Sequence, residues 1–201
     1  MNSPSPHATE YPIGIRDALV IVDLQNDFLP GGALAVPEGH AVIPPLNTLI
    51  DRFHARARPI VATRDWHPSD HCSFQAQGGP WPPHCIAEGA GAAFAADLRL
   101  PPEAHIVSKA TAPAFEAYSG FEGTELADWL QANGIERLVI GGLATDYCVR
   151  HTVEDACRNG FEVVVVPEAI RAVEVNPGDA EAAVASMRAR GAHFASLEAI
   201  R

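Results

Sequence analysis

Apolar residues in this chain gather in short unbroken runs, set apart by longer stretches in which they recur every three or four positions. The runs at 18–22, 138–140 and 163–166 are apolar throughout. That is the pattern of strands buried on both faces. Residues 59–63, 106–109 and 193–196 read as further strands. Between them, residues 42–57 place Val42, Ile43, Leu46, Leu49, Ile50 and Phe53 on one helical face, with Pro44-Pro45 in the first turn, where a missing N–H costs little. Thr124 is the expected cap of a second helix that stops at Asn133-Gly134. Asn176 and Pro177 are the expected N-cap and first residue of the last helix. Asn133-Gly134, Asn159-Gly160 and Arg190-Gly191 each end a helix just before a strand. This alternation predicts an α/β fold, a three-layer sandwich with a mostly parallel sheet and helices on both faces. Residues 1–16 read as a loose tail and 17–201 as a single domain without an internal linker.

Two stretches break the rhythm. Residues 64–91 form an irregular segment rich in His, Pro, Trp and Gly, long enough to imply a function. Residues 110–123 form a shorter loop carrying Phe115, Tyr118 and Phe121.

A parallel sheet sends the loops after its strands to one edge, where such folds place their sites. Asp23 follows the first strand, Asp65-Trp66-His67 the second, and Lys109 closes the third. After the fourth comes 141–149, Gly-Gly-Leu-Ala-Thr-Asp-Tyr-Cys-Val. With Thr145 or Asp146 as N-cap, Cys148 falls in a first helical turn, where free N–H groups favour a thiolate. Asp23 is placed to take its proton and Lys109 to offset the carboxylate charge. His151, one turn beyond Cys148, is a rival base.

The long loop also carries metal-ligand types. Asp65, His67 and His84, with His71 as a further candidate, would hold zinc, iron or manganese with positions left open. Cys72 and Cys85 with two histidines would instead make a closed structural zinc site, although no paired C-x-x-C is present. Composition narrows the partners. A formal net charge of −11 without a Lys/Arg cluster argues against nucleic acid and anionic membrane. No run spans a bilayer and no secretory signal is seen. Four cysteines in 201 residues do not suggest a disulfide framework, so a reducing, cytoplasmic setting is expected. The sequence leaves the oligomeric state open, a homo-oligomer included.

These motifs, Asp23-Leu24-Gln25-Asn26-Asp27-Phe28, Asp65-Trp66-His67-Pro68, Trp81-Pro82-Pro83-His84-Cys85, Lys109 and 142–149, resemble the nicotinamidases of the isochorismatase-like cysteine hydrolase superfamily. The resemblance runs from about Ala18 to Ala192. It implies Asp23 as base, Lys109 as its ionic partner and Cys148 as nucleophile. It implies Asp65, His67 and His84 as ligands of one divalent metal ion, with His71 where some members have a further ligand. Phe28, Trp81 and Tyr118 would line a pyridine pocket. A cis peptide would join Leu143 to Ala144, and the N–H groups of Ala144 and Cys148 would form an oxyanion hole. The implied activity is hydrolysis of nicotinamide, and of pyrazinamide, through a Cys thioester, in NAD salvage. A related amidase acting on another small amide, or a non-catalytic metal-binding homologue, would keep the same fold.

Overall fold

The computed structural model describes residues 10–201. Its centre is β1 (Asp17–Val22), in which every residue is buried. β2 (Ile60–Asp65) and β3 (His105–Lys109) lie to one side of it. β4 (Arg137–Leu143), β5 (Glu162–Arg171) and β6 (His193–Phe194) lie to the other. The order is β3-β2-β1-β4-β5-β6, and every pairing is parallel. Because side chains alternate across a strand, β1 feeds two cores. Leu19 and Ile21 pack with Leu46, Leu49 and Phe53 of α1 (Ile43–His54). Ala18, Val20 and Val22 pack against the other layer. That layer holds Leu126 and Leu130 of α2 (Leu126–Ala132), Val153 of α3 (Arg150–Arg158) and Met187 of α4 (Asp179–Ala189). The sandwich of three layers is therefore as expected. No helix among the described residues is long and apolar enough to cross a membrane.

Local differences from the expected elements have simple causes. The last helix starts at Asp179 with Gly178 as N-cap. Asn176 lies two residues before that cap, and its N–H is bound by the Asp179 carboxylate at 2.8 Å. Thr124 accepts the Leu126 N–H at 3.3 Å from just outside α2. The turn before α3, Thr145–Val149, is a single π turn without a side-chain cap. Of the tail expected over 1–16, residues 1–9 lie outside the described residues. Tyr11 is tied to the chain end, its N–H reaching the Ala199 carbonyl at 2.8 Å and its own carbonyl accepting from Arg201 at 3.1 Å. The segment after β2 is irregular but stitched, with isolated bridges His67–Ile86 and Phe74–Trp81.

Register sets the working edge. Asp65 and Lys109 are paired neighbours at the ends of β2 and β3. Gly142 takes φ +132° against the end of β1, where an added methyl group would strike the Val22 backbone. That close approach brings the loop after β4 beside the loop after β1.

Candidate active site

Lys109 organises the floor of the site. Its ammonium is fully buried, 2.9 Å from Asp23 Oδ2 and in contact with Asp65 Oδ1. It also donates to the Ala117 carbonyl at 3.1 Å and to Cys148 Sγ at 3.6 Å. A buried ammonium is sustained only by such partners. Burial works against its charge, yet the two carboxylates win and hold its pKa well above the usual lysine value. Asp23 is completely buried, and the loss of water raises its pKa, with Lys109 and the Thr63 hydroxyl opposing. Thr63 Oγ1 donates to Asp23 Oδ1 at 2.6 Å, which leaves Oδ2 for Lys109. Asp65 is also buried, but the Lys109 ammonium opposes the burial and holds its carboxyl well below the usual range.

Cys148 sits in the π turn, with the cis Leu143–Ala144 peptide just ahead of it. Burial pushes its thiol well up; Lys109 works against this and the neighbouring carboxylates add to it. The resting sulfur is accordingly a protonated thiol that needs a base. Ligand atoms of Asp23, Asp65 and Cys148 lie within 4.8 Å of one another. His151, the rival base, points elsewhere: its ring stacks on Tyr118 at 5.3 Å and Nε2 lies 3.3 Å from the Arg150 guanidinium.

One wall carries a second cluster. Ligand atoms of Asp65, His67 and His84 also lie within 4.8 Å of one another. His67 Nδ1 faces the Ala110 carbonyl at 3.2 Å and His84 Nδ1 the Pro82 carbonyl at 2.8 Å. Donation from each Nδ1–H leaves each Nε2 with a free lone pair, the tautomer a metal requires. Burial lowers the His84 pKa and so favours the neutral ring. A carboxylate and the Nε2 atoms of two imidazoles fit a borderline divalent cation with positions left open. His71 is not brought into this set. Its Nδ1 meets Ser73 Oγ at 2.8 Å, its Nε2 meets the Phe115 carbonyl at 2.9 Å, and the ring stacks behind His67 at 4.2 Å. Neither Cys72 nor Cys85 joins a three-ligand group among the described residues. Burial raises the Cys85 thiol pKa and keeps it protonated.

Above both clusters lies a mostly apolar cleft. The expected Phe28, Trp81 and Tyr118 line it, as do Ala144 and Cys148. Trp81 Nε1 donates to the Tyr118 hydroxyl at 3.0 Å, which locks the two rings together. The sequence reading missed Leu34, Val36, Glu116, Tyr147 and Val173 in the lining, and gave Leu143 only a place in the cis peptide. Tyr147, next to Cys148, meets Trp81 edge-on at 5.4 Å. Val173 is brought in by the buried Asp146 carboxylate, which accepts the N–H groups of Val173 at 3.0 Å and Glu174 at 2.8 Å. The apolar run Ala33-Leu34-Ala35-Val36 after Gly31-Gly32, and an acid beside the expected helix start, are the sequence signals for these contacts.

The same arrangement of strands and loops is found in known proteins. The chain is 39% identical to the nicotinamidase of Escherichia coli (strain K12) over 201 residues, covering 90% of this chain and 94% of that one. Among solved structures it superposes on the pyrazinamidase of Pyrococcus horikoshii in complex with zinc with a TM-score of 0.87. The identity is 50%, over 90% of this chain and 99% of that one. A second structure, PnC1 from L. infantum in complex with nicotinate, also gives a TM-score of 0.87, at 36% identity over 93% and 96% of the two chains. Residues 17–199 match the isochorismatase domain, and the chain belongs to the isochorismatase family.

Proposed function

We propose that this protein hydrolyses nicotinamide to nicotinate and ammonia. One observation carries the reading: a thiol, a carboxylate and a buried ammonium meet at the floor of a narrow apolar cleft whose wall holds a carboxylate and two imidazoles. A flat neutral ring suits walls of Phe28, Trp81 and Tyr118. Similarity to nicotinamidases over most of both chains supports the substrate.

Asp23 takes the Cys148 proton, and its burial-raised pKa brings it toward the range in which a carboxyl both accepts and returns a proton. The sulfur attacks the amide carbon. The N–H groups of Ala144 and Cys148 receive the oxyanion, a contribution of about 3–4 kcal/mol per donor in such sites. Asp23 returns its proton to the leaving nitrogen, which departs as ammonia and leaves a thioester. Water then attacks the thioester, Asp23 again takes a proton, and nicotinate leaves as the thiol is restored. Lys109 keeps its charge throughout and steadies Asp23 whenever the carboxylate is ionised. Asp65, His67 and His84 would hold one divalent metal ion, zinc in our reading, which when bound would supply a Lewis acid for a ring nitrogen or for water. By the same geometry pyrazinamide, with its similar ring, is a second substrate. The cellular role would be recycling of NAD breakdown products in the cytoplasm.

The test is ammonia release from nicotinamide by wild type and by Cys148→Ala. Release by wild type with none above background from Cys148→Ala is the expected outcome. Ammonia from other small amides but not from nicotinamide would move the substrate, and an active Cys148→Ala would remove the nucleophile.

A further inference from the structure

The loop that leaves β1 carries, besides Asp23, the polar side chains of Gln25, Asn26 and Asp27, which the mechanism does not use; Asn26 donates to the Ala90 carbonyl at 2.8 Å, and the other two reach the ligand segments. Gln25 is fully buried, with its carboxamide against the backbone of Asp65. Oε1 accepts the Asp65 N–H at 2.8 Å. Nε2 donates to the Asp65 carbonyl at 2.8 Å and to the Ala92 carbonyl at 2.9 Å. Both amide hydrogens are used. The paired register of β1 with β2 ends at Ile21 and Ala62, so Asp65 runs on past its neighbour strand. The Gln25 side chain stands in for the missing strand residue and closes both backbone groups of Asp65.

Two residues further on, Asp27 does the same for the other ligand segment. Its Oδ2 accepts the N–H of Cys85, the neighbour of His84, at 2.7 Å, and its Oδ1 accepts the Ala33 N–H at 3.3 Å. Any side chain at Gly91 would run into this carboxylate. Gln25 and Asp27 thus hold the backbones of two ligand segments from one short loop, which is itself fixed to the sheet through the Asp23 N–H and the Thr63 carbonyl at 3.2 Å.

We propose that Gln25 and Asp27 are positioning residues that set the backbones at Asp65 and His84 for a cation before it arrives. The inference rests on the cation site proposed above. Its physical basis is pre-organisation: a ligand set already in place does not lose conformational freedom when the metal binds, and so binds it more tightly. The side-chain types follow. An ionised Glu at position 25 has no donor, and an Asn is one methylene too short. An Asn at position 27 keeps only one of two acceptors.

Two measurements test this. The first is amide hydrogen exchange in metal-free and zinc-loaded wild type. The Asp65 and Cys85 amides are expected to be protected already in the metal-free protein. Rapid exchange there, with protection appearing only on adding zinc, overturns the proposal. The second is zinc affinity, by competition with a chromogenic chelator, for wild type, Gln25→Glu and Asp27→Asn. Each variant is expected to bind zinc about 10–100-fold more weakly, the range seen when groups that orient metal ligands are lost. The stabilisation gained on adding zinc should shrink with it. A variant whose melting temperature falls equally with and without zinc, at unchanged zinc affinity, has lost only structural support, and the proposal fails. If a variant does not fold, the exchange experiment on wild type decides. Wild type that binds no zinc at all is a different failure, that of the cation site itself.

Discussion

Replacing Lys109 by Met tests the electrostatic core of the site. The substitution keeps the length of the side chain and removes one charge from between two buried carboxylates. With zinc added, Asp65 keeps a counter-charge in the proposed site, so the burden falls on Asp23. Removing one member of a buried pair costs about 3–5 kcal/mol when the other stays charged. Asp23 has an escape, which is to take up a proton. For a carboxyl with a reference pKa near 3.9, holding that proton at pH 7 costs about 4 kcal/mol, from roughly 1.4 kcal/mol per pH unit. That is the ceiling on the destabilisation at pH 7, and at pH 5.5 the ceiling falls to about 2 kcal/mol. The sign follows from the raised folded pKa of Asp23: the loss vanishes below the unfolded pKa and grows as pH rises toward the folded one. For a domain of this size, 1 kcal/mol moves the melting temperature by about 2–4 °C. Lys109→Met should therefore melt up to about 8–16 °C below wild type at pH 7, with roughly half that deficit at pH 5.5. A protonated Asp23 cannot take the Cys148 proton, so turnover should fall by about 10²–10⁴-fold. Calorimetry at the two pH values and an ammonia assay read both effects. A deficit that does not change with pH, or wild-type turnover in the variant, would refute the charge balance described here.

Other perturbations separate the remaining parts of the site. Removing metal with a chelator should abolish ammonia release and lower the melting temperature, both restored by zinc; a stripped protein of undiminished activity would rule out a metal requirement. Trp81→Ala removes the bond to Tyr118 and the edge contact with Tyr147, so KM for nicotinamide should rise about tenfold, from roughly 1–1.5 kcal/mol of lost ring contact, with kcat changed less. An unchanged KM would take Trp81 out of the substrate wall. Asp146→Ala strands the N–H groups of Val173 and Glu174, and should cost about 2–4 kcal/mol in urea unfolding while loosening the cleft. A loss below about 0.5 kcal/mol would show that water replaces the carboxylate there.

The parts of the site that were legible in the sequence are those that topology alone places. Residues 18–22 and 163–166 announce buried strands because no polar residue interrupts them, and parallel strands send Asp23, Asp65, Lys109 and the loop bearing Cys148 to one edge. What topology does not place stayed hidden. Lys109 reads from the sequence as the partner of Asp23, and nothing in the spacing says that Asp65 shares it. The ring of His71 is four residues from His67, yet a loop can turn it toward a metal or toward Ser73 and Phe115, and here it does the latter. Asn176 and Gly178 both suit a helix start, and the helix here begins after Gly178, which takes a left-handed backbone at φ +96°. Glu116 and Val173 reach the cleft by loop paths that leave no periodic trace.

Asp65 belongs to both halves of the site: one oxygen meets Lys109 and the other lies 3.6 Å from His67 Nε2. The consequence is evolutionary. A mutation that retunes the cation wall at this position also resets the charge felt by Lys109, and through it by Asp23 and the thiol. A descendant that lost the proposed cation by replacing Asp65 itself would leave Lys109 with Asp23 as its remaining carboxylate, whereas one that replaced His67 or His84 would leave the charges around Lys109 in place.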